Sequence, residues 1–374
     1  MSQAPESVTP PGFWTRPANM VILKLLGIAA LLYLFILSIT MLGVGVKLLG
    51  AGFAETLFRA TSNPVVGLMI GLLSTAIIQS SSTTTSIIVG LTGSGLLSVE
   101  AAIPMVMGAN IGTSITNTIV SLAHIQRSDE FRRAFSGSTV HDFFNLCSAA
   151  VLLPLQVSFN IIGWLASRAE TFFAGFGGLK FTSPLAVISK PVAKQIAHLT
   201  GDTAWVVVIL ALLMLFLALL YIVRILKSLV LSRVEKFFQR YVFRTPILGF
   251  ILGMVLTVLV QSSSITTSIV VPLIGAGVLS LEQIYPYVLG ANVGTTVTAF
   301  LASFVTGSHE AVAVAFAHLT FNVYGILIFW PLRKFPIALA TKLAAWTHKS
   351  RLIPIGYVVV VFFVIPAAVI FLLD

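Results

Sequence analysis

Two copies of the tetrapeptide Gln-Ser-Ser-Ser, at 79–82 and 261–264, place hydroxyl and carboxamide donors inside apolar sequence. More hydroxyl residues follow each copy. Hydroxyls, carboxamides and the backbone N–H groups at the start of a helix are donors that hold an oxyanion. The alternative is that serine and threonine only join packed helices. We expect eight side chains to surround one small tetrahedral oxyanion: Gln79, Ser80, Ser81, Ser82, Gln261, Ser262, Ser263 and Ser264.

A second repeated motif, Gly-Ala-Asn-Ile-Gly-Thr-Ser at 108–114 and Gly-Ala-Asn-Val-Gly-Thr-Thr at 290–296, offers neutral oxygen ligands. Glycines let a helix unwind and free its carbonyls, to which Asn and Thr side chains add oxygens. Such oxygens suit a hard monovalent cation such as sodium, whereas a transition metal prefers ligand types that do not cluster here. Close helix packing at the glycines is the alternative. The candidate sodium ligands of this motif are Asn110, Thr113, Asn292 and Thr295.

Asp142 is the clearest carboxylate inside an apolar stretch long enough to cross a membrane. An acid at membrane depth is costly, so it marks a functional site by default. Asn145 lies three residues further along the same helical face, and Asn322 is its equivalent in the second half. Because Leu319 stands where the second half would have the acid, we assign Asp142 to one additional cation site, with Asn145 and Asn322 as further sodium ligands. The alternative is an acid that is protonated or paired with an arginine.

The composition identifies the environment of these motifs. Of 374 residues, 57% are hydrophobic and 9% are charged, against about 25% charged in a soluble domain. This excludes an ordinary soluble protein. The net charge of +10 is typical of basic cytoplasmic loops rather than of nucleic-acid binding. We expect an all-α polytopic protein of the inner (plasma) membrane, with the lipid bilayer as a partner and without a nucleic-acid partner.

Several apolar runs are long enough to cross about 30 Å of hydrocarbon, but two are interrupted by the Gln-Ser-Ser-Ser tetrapeptides. Because each half of these two is too short to cross alone, they predict re-entrant helical hairpins. Each is followed by a segment with Gly and Asn at its centre, which predicts a discontinuous helix. The predicted organisation begins with an N-terminal tail (1–19) and ends with a C-terminal membrane helix (355–373). Repeat 1 (20–178) has a first helix, a hairpin (65–92), a broken helix (98–123), a helix (134–153) and an interfacial helix, and an external connection (179–203) follows it. Repeat 2 (204–350) has a first helix, a hairpin (247–275), a broken helix (281–306), a helix (310–331) and an interfacial helix.

An internal repeat relates the two halves. Shifted by 182 residues, 79–122 matches 261–304 with 24 identities in 44 positions, and a shift of 177 pairs His141 with His318. We expect these two histidines to be hydrogen-bond bridges rather than ligands. Three crossings separate the hairpins, so inverted topology is predicted. The segment 224–244 has six basic residues and one acid, which places it and the N-terminus in the cytoplasm and the C-terminus outside.

Together, the two Gln-Ser-Ser-Ser tetrapeptides, the run Met107–Ser114 and the runs Phe131–Phe135 and Val140–Asn145 closely resemble the type II sodium-dependent phosphate cotransporters. The resemblance implies that both tetrapeptides bind phosphate and sodium. It also implies that Asp142 stands at an aspartate associated with an additional sodium and with electrogenic transport, where electroneutral members carry glycine.

The same resemblance implies three sodium ions per divalent phosphate, no organic cofactor, and an elevator-type transporter with the hairpins on its moving part. Members of the family from animals have a long disulfide-bonded external loop, whereas the segment 155–203 is short and has no cysteine. This difference indicates a bacterial member.

The electrostatics of the expected site favour coupled transport. Hydrogen phosphate has about two negative charges, and neither hairpin contains Lys or Arg. Co-bound sodium would supply positive charge, so that each ligand raises the affinity for the other. We expect inward symport of sodium and inorganic phosphate by alternating access, and no enzymatic activity. Transport of sulfate or a dicarboxylate, an intramembrane hydrolase and a passive channel are the alternatives, and formation of a homo-oligomer is left open.

Overall fold

The computed structural model describes residues 17–122, 125, 128–175, 184–241, 245–347 and 349–373. Almost all of the predicted N-terminal tail and part of the predicted external connection therefore lie outside the described residues. The helices are α1 (Pro17–Leu49), α2 (Ala51–Ser62), α3 (Pro64–Ile78), α4 (Ser81–Gly93), α5 (Val99–Thr113), α6 (Ile115–Leu122), α7 (Ser128–Phe159), α8 (Ile161–Gly175), α9 (Pro184–Leu199), α10 (Ala204–Tyr241), α11 (Pro246–Val260), α12 (Ser263–Ser268), α13 (Val270–Gly275), α14 (Leu281–Thr306), α15 (His309–Phe329), α16 (Lys334–Trp346), α17 (Leu352–Val359) and α18 (Ile365–Leu373), with a π-helical turn (Val360–Val364) between the last two.

Six helical stretches of the described chain are long and apolar enough to cross a membrane. They are Met20–Leu49, Asp129–Phe159, Ala204–Leu226, Leu281–Thr306, His309–Phe329 and Leu352–Leu373. No strand occurs in the described ranges. The expectation of an all-helical, multi-pass membrane protein is confirmed, whereas the inverted topology and the elevator mechanism stay predictions.

Two helix–turn–helix units contain the Gln-Ser-Ser-Ser tetrapeptides: α3 with α4, and α11 with α12 and α13. The entering helices α3 and α11 have 15 residues each, which at about 1.5 Å per residue is too short to cross the hydrocarbon. Both begin at a proline, which suits the first turn of a helix. The preceding Asn63 and Thr245 cap them by accepting from Val65 N and Leu248 N, respectively. The local sequence thus starts each helix sharply and ends it at a glutamine.

The glycines of the second motif bring helix backbones together. A Cβ at Gly112 would lie 2.7 Å from the carbonyl oxygen of Leu72 on α3, and one at Gly294 would lie 2.6 Å from that of Met254 on α11. Gly108 and Gly290 approach carbonyls of the same two helices even more closely. Small residues that let helices touch in this way are typical of membrane proteins. The hairpin helices α3 and α11 are therefore fixed against α5 and α14.

This packing corrects the prediction that both glycine motifs unwind. The segment 281–306 is not broken, because α14 runs continuously from Leu281 to Thr306. The segment 98–123 is interrupted, but only at Ser114, after α5 has passed through both glycines. The glycines serve close approach, which leaves the helical hydrogen bonds around them intact. Close packing, the alternative explanation, is the one that the structure supports.

Two helices occur where only connections were expected. Helix α2 follows α1, and α9 lies within the predicted external connection. Ala193 and Ala197 of α9 are buried against Met41 and Val46 of α1, and the hydroxyls of Thr40 and Ser189 form a 2.9 Å hydrogen bond. Helix α9 therefore buries one side, which includes two small alanines, against α1.

Candidate anion and cation sites

The two Gln-Ser-Ser-Ser turns have the same backbone. Gln79 has φ 58° and ψ 27°, and Gln261 has φ 56° and ψ 28°. Both lie in the left-handed region of backbone conformation, which residues other than glycine rarely adopt. The next residues, Ser80 and Ser262, are extended and cap the outgoing helices. Strain of this kind persists where the surroundings enforce it and clusters at functional sites.

The carboxamides of these glutamines are held on both sides. Gln79 Nε2 donates to Ala76 O at 2.5 Å, and the Thr116 hydroxyl donates to Gln79 Oε1 at 3.1 Å. The second turn repeats this arrangement: Gln261 Nε2 donates to Val258 O at 2.6 Å, and Thr298 donates to Gln261 Oε1 at 3.0 Å. Each carboxamide keeps one N–H that these bonds do not use.

The serine hydroxyls are oriented by the helices that they start. Ser80 Oγ accepts from the Thr83 backbone N–H at 3.2 Å and from the Thr83 hydroxyl at 2.8 Å. Ser262 Oγ accepts from Ile265 N at 3.3 Å. Because both oxygens act as acceptors in these bonds, both hydroxyl protons stay available as donors to an anion.

All eight predicted anion-binding residues line one cavity of about 400 Å³, within the usual size range of ligand sites. The structure thus brings together Gln79, Ser80, Ser81, Ser82, Gln261, Ser262, Ser263 and Ser264. Thr116 lies beside them, and one face of α10 forms the opposite wall. Residues 182 positions apart in the chain are therefore neighbours around a common space.

The predicted sodium ligands form a buried hydrogen-bond network that joins the two halves. His141 Nε2 and Asn292 Oδ1 are 2.6 Å apart. Asn292 Nδ2 donates to Asn145 Oδ1 at 2.8 Å, and Asn145 Nδ2 donates to the carbonyl of Asn110 at 2.9 Å. His141 is thus a hydrogen-bond bridge, in agreement with its expected role.

The equivalent contacts of the second half are longer. His318 Nε2 lies 3.3 Å from Asn110 Oδ1, and Asn322 Nδ2 lies 3.4 Å from the same oxygen. Asn322 Oδ1 and His318 Nδ1 are buried and have no hydrogen-bond partner among the described residues. Since buried polar atoms are normally satisfied, these two atoms are candidates to bind a ligand or a water molecule.

Thr113 and Thr295 differ from the asparagines, because their hydroxyls bond their own helices. Each donates 3.0 Å to the carbonyl four residues earlier, Ala109 for Thr113 and Ala291 for Thr295. The carbonyl of Thr113 accepts instead from the hydroxyl of Ser264 at 3.3 Å. The end of α5 therefore touches the second Gln-Ser-Ser-Ser turn directly.

Asp142 is fully buried and is bonded through one oxygen only. Its Oδ2 accepts from the Thr118 hydroxyl at 3.2 Å and from the Tyr357 hydroxyl at 3.0 Å. Its Oδ1 has no partner within the described part of the chain, and none of the ion pairs found there includes Asp142. Pairing with an arginine is thus not observed, and a free carboxylate oxygen is left to bind a cation.

Sequence reasoning missed Asn117, Thr118 and Tyr357. Asn117 donates to Thr267 Oγ1 at 2.6 Å and accepts from Ser268 Oγ at 2.9 Å, so it joins α6 to α12. Its position in a repeat was visible in the sequence, but the first half has asparagine where the second has Ala299. Tyr357 lies in the last apolar stretch, where nothing in the local pattern indicates a polar partner.

The sequence comparisons identify the class of protein. The family model of the Na+/Pi-cotransporters matches residues 34–181 and 206–364. The sodium-dependent phosphate transport protein 2A of Ovis aries is 34% identical over an alignment of 436 positions, which covers 95% of this chain and 68% of the relative. The 2B protein of Pongo abelii is 33% identical over 445 positions, which cover 92% of this chain and 65% of the relative.

The chain thus spans about two thirds of the length of these relatives. No solved structure matches it. Two separate stretches of family match together include both Gln-Ser-Ser-Ser turns, both glycine motifs and Asp142. The chain belongs to the sodium/phosphate cotransporter family.

Proposed function

We propose that this protein carries inorganic phosphate across the membrane together with sodium. The observation that supports this most strongly is the shared cavity, in which two turns of identical backbone present hydroxyls and carboxamides to one space. These groups donate hydrogen bonds but have no charge. A tetrahedral oxyanion offers acceptors in several directions, which suits donors converging from two sides.

Coupling to sodium is expected because the eight side chains proposed to bind phosphate carry no positive charge. Divalent phosphate bound only by neutral donors would be held weakly, because desolvating its charge costs more than neutral hydrogen bonds return. The oxygens of the asparagine network begin next to the anion cavity, since Ser264 donates to the carbonyl of Thr113. Sodium bound among Asn110, Thr113, Asn145, Asn292, Thr295 and Asn322 would favour phosphate, and phosphate would favour sodium to the same extent.

Asp142 supplies an additional sodium site in this proposal. Its unpartnered Oδ1 is a charged oxygen at membrane depth, which is costly to leave without a cation. Three sodium ions with one divalent phosphate move roughly one net positive charge inward per cycle. The membrane potential then contributes about 2.3 kcal/mol per 100 mV to uptake.

Alternating access completes the proposal. The hairpins would move as a unit relative to α1 and α10, in two repeats of inverted topology with the N-terminus in the cytoplasm and the C-terminus outside. The plasma membrane as location, a bacterial source and any homo-oligomeric assembly belong to the same hypothesis. The apolar face of α10 that lines the cavity beside the polar turns supports movement of the hairpins relative to α10. An apolar wall forms few hydrogen bonds that would have to break as the hairpins move.

Phosphate uptake into proteoliposomes, with the sodium gradient and the voltage set independently, tests the function. We expect uptake to require inward sodium, to rise with a negative interior and to be inhibited by arsenate. Equal flux without a sodium gradient would indicate a passive channel. Inhibition by sulfate or a dicarboxylate, but not by arsenate, would contradict phosphate as the substrate. Hydrolysis of a phosphoester by the purified protein would point to an enzyme.

A further inference from the structure

The wall of the anion cavity opposite the two turns is one face of α10. Phe216, Leu219, Leu220 and Val223 line the cavity, at the spacing of three and four residues that puts side chains on one side of a helix. Arg224 follows on the same side and also lines the cavity. The face is thus apolar along its length and ends in a guanidinium.

Arg224 is the one charged side chain among the described residues that line this cavity. It is exposed and stands at the end of the apolar face of α10, beyond Phe216, Leu219, Leu220 and Val223, where we place the mouth of the cavity. Its guanidinium carbon lies 5.2 Å from the centre of the Tyr221 ring, a contact that leaves the N–H groups at the edge of the guanidinium free. The ion pairs of the described residues do not include Arg224, so no carboxylate neutralises it there.

We propose that Arg224 binds phosphate at the mouth of the cavity and guides the anion between solution and the Gln-Ser-Ser-Ser turns. The inference rests on the proposed function. A guanidinium presents paired N–H donors that match two oxygens of a phosphate group. Because Arg224 belongs to the wall and not to the turns, its charge acts on the anion during entry or exit and leaves the bound anion dependent on sodium.

The position of Arg224 has an alternative explanation, since arginine at the end of a membrane helix is also a topology signal. The two explanations differ in what they predict for phosphate affinity. A topology signal acts during insertion and has no effect on the half-saturating phosphate concentration of a correctly inserted protein. A phosphate contact changes that concentration, and the change weakens as added salt screens the charge.

The test uses the full chain in phosphatidylcholine vesicles, with Arg224→Gln, Arg224→Lys and the control Arg333→Gln. Arg333 is another exposed arginine, and it lines a different cavity. Sodium-dependent phosphate exchange is measured over a range of phosphate on each side of the membrane. Sodium is fixed, and choline chloride sets the ionic strength.

We expect Arg224→Gln to raise the half-saturating phosphate concentration roughly tenfold at low ionic strength, the size of one charge-assisted contact. The change should appear on the side where Arg224 lies, shrink with added choline chloride and be largely reversed in Arg224→Lys. At saturating phosphate, the half-saturating sodium concentration should stay at its original value. If Arg224→Gln has the phosphate dependence of Arg333→Gln, the inference is wrong while the proposed function stands. Absence of sodium-dependent phosphate exchange in the unmodified protein would overturn the proposed function itself.

Discussion

The hydroxyl of Tyr357 donates a 3.0 Å hydrogen bond to Oδ2 of Asp142 and thereby ties α17, in the last apolar stretch, to α7. Thr118 donates to the same oxygen, so two donors fix one side of the carboxylate and leave Oδ1 without a partner among the described residues. The π-helical turn Val360–Val364 begins three residues after Tyr357. Such turns frequently mark functional sites in helices. The tyrosine therefore orients the acid that we assign to a cation.

Replacing Tyr357 with phenylalanine should weaken sodium binding. The ring would keep its packing on Phe135, Phe143 and Phe362, while the carboxylate would lose a bond of a type that contributes about 1.5–3 kcal/mol. With Thr118 as the remaining donor to Oδ2, the carboxylate of Asp142 is less firmly oriented, which lowers sodium occupancy. We expect the half-saturating sodium concentration for phosphate uptake to rise roughly tenfold.

Tyr285→Phe is the matched control for this change. Tyr285 is fully buried, whereas Tyr357 is partly buried, and the Tyr285 hydroxyl donates to the carbonyl of Phe329 at 3.1 Å, away from the predicted ligands. Tyr285→Phe should lose about 1 kcal/mol of stability, the value of a neutral hydrogen bond, and only Tyr357→Phe should alter the sodium dependence. The orienting role of Tyr357 is refuted if the two variants have the same sodium dependence.

Removing the charge of Asp142 should separate uptake from current. Asp142→Asn keeps the volume and an acceptor for Thr118 and Tyr357, whereas Asp142→Gly also removes the side chain at a cost of about 1 kcal/mol in a helix. Both variants should still take up phosphate with sodium. The charge moved per phosphate, measured as current against tracer uptake, should fall from roughly one to zero. An undiminished current would show that the additional sodium binds elsewhere.

The turns at Gln79 and Gln261 could be predicted from the local sequence. Two identical tetrapeptides after apolar runs of similar length predicted two similar breaks, and the backbone angles agree within a few degrees. The grouping of all eight side chains around one cavity also follows the prediction. In both cases the signal is local and repeated, so it does not depend on knowing how the helices pack.

The contact between His141 and Asn292 could not be predicted from local sequence. Each residue comes from a different repeat, and the sequence gives no measure of which polar residues of separate helices meet. The prediction that the glycine motifs unwind was wrong for the same reason. Gly108 and Gly290 are compatible either with an unwound helix or with a close approach of two helices, and the nearby carbonyls of Leu68 and Phe250 show that they serve close approach. Tyr357 was missed because its partner is 215 residues away.

Alanine at Gly108 or Gly290 should destabilise the protein. A Cβ at either position would overlap a backbone carbonyl of the adjacent hairpin helix, that of Leu68 or of Phe250. Because backbone cannot move aside as a flexible side chain can, we expect a loss of about 1–3 kcal/mol or failure to fold. Thermal unfolding of the purified variants, followed by loss of monodisperse protein, measures this effect.

Gly356→Ala is the control for these glycine variants. Nothing lies within 4 Å of a Cβ built at Gly356 in α17, so alanine there should be neutral or should stabilise the helix by up to about 1 kcal/mol. Chemically identical changes are therefore expected to destabilise the protein at Gly108 and Gly290 but not at Gly356. An unfolding temperature of Gly108→Ala equal to that of the unmodified protein would contradict the packing role and would restore the unwound helix as an explanation.

The two threonines that hold the glutamine carboxamides should contribute equally to phosphate binding. Thr116→Val and Thr298→Val keep the side-chain shape and remove the hydroxyl that donates to Gln79 or Gln261. Each freed carboxamide then rotates away from the orientation in which its remaining N–H is available. Loss of one neutral hydrogen bond is worth about 1 kcal/mol, so we expect the half-saturating phosphate concentration to rise roughly fivefold in each variant.

Thr92→Val separates this effect from a general loss of hydroxyls. Thr92 is buried in the outgoing helix α4 of the first hairpin, and its hydroxyl donates to the carbonyl of Ile88 in the same helix at 3.0 Å. Its replacement should leave the phosphate dependence of uptake unchanged. If Thr116→Val changes phosphate affinity and Thr298→Val does not, the two turns are not equivalent, because the same bond in the same backbone would then have different effects on one bound anion.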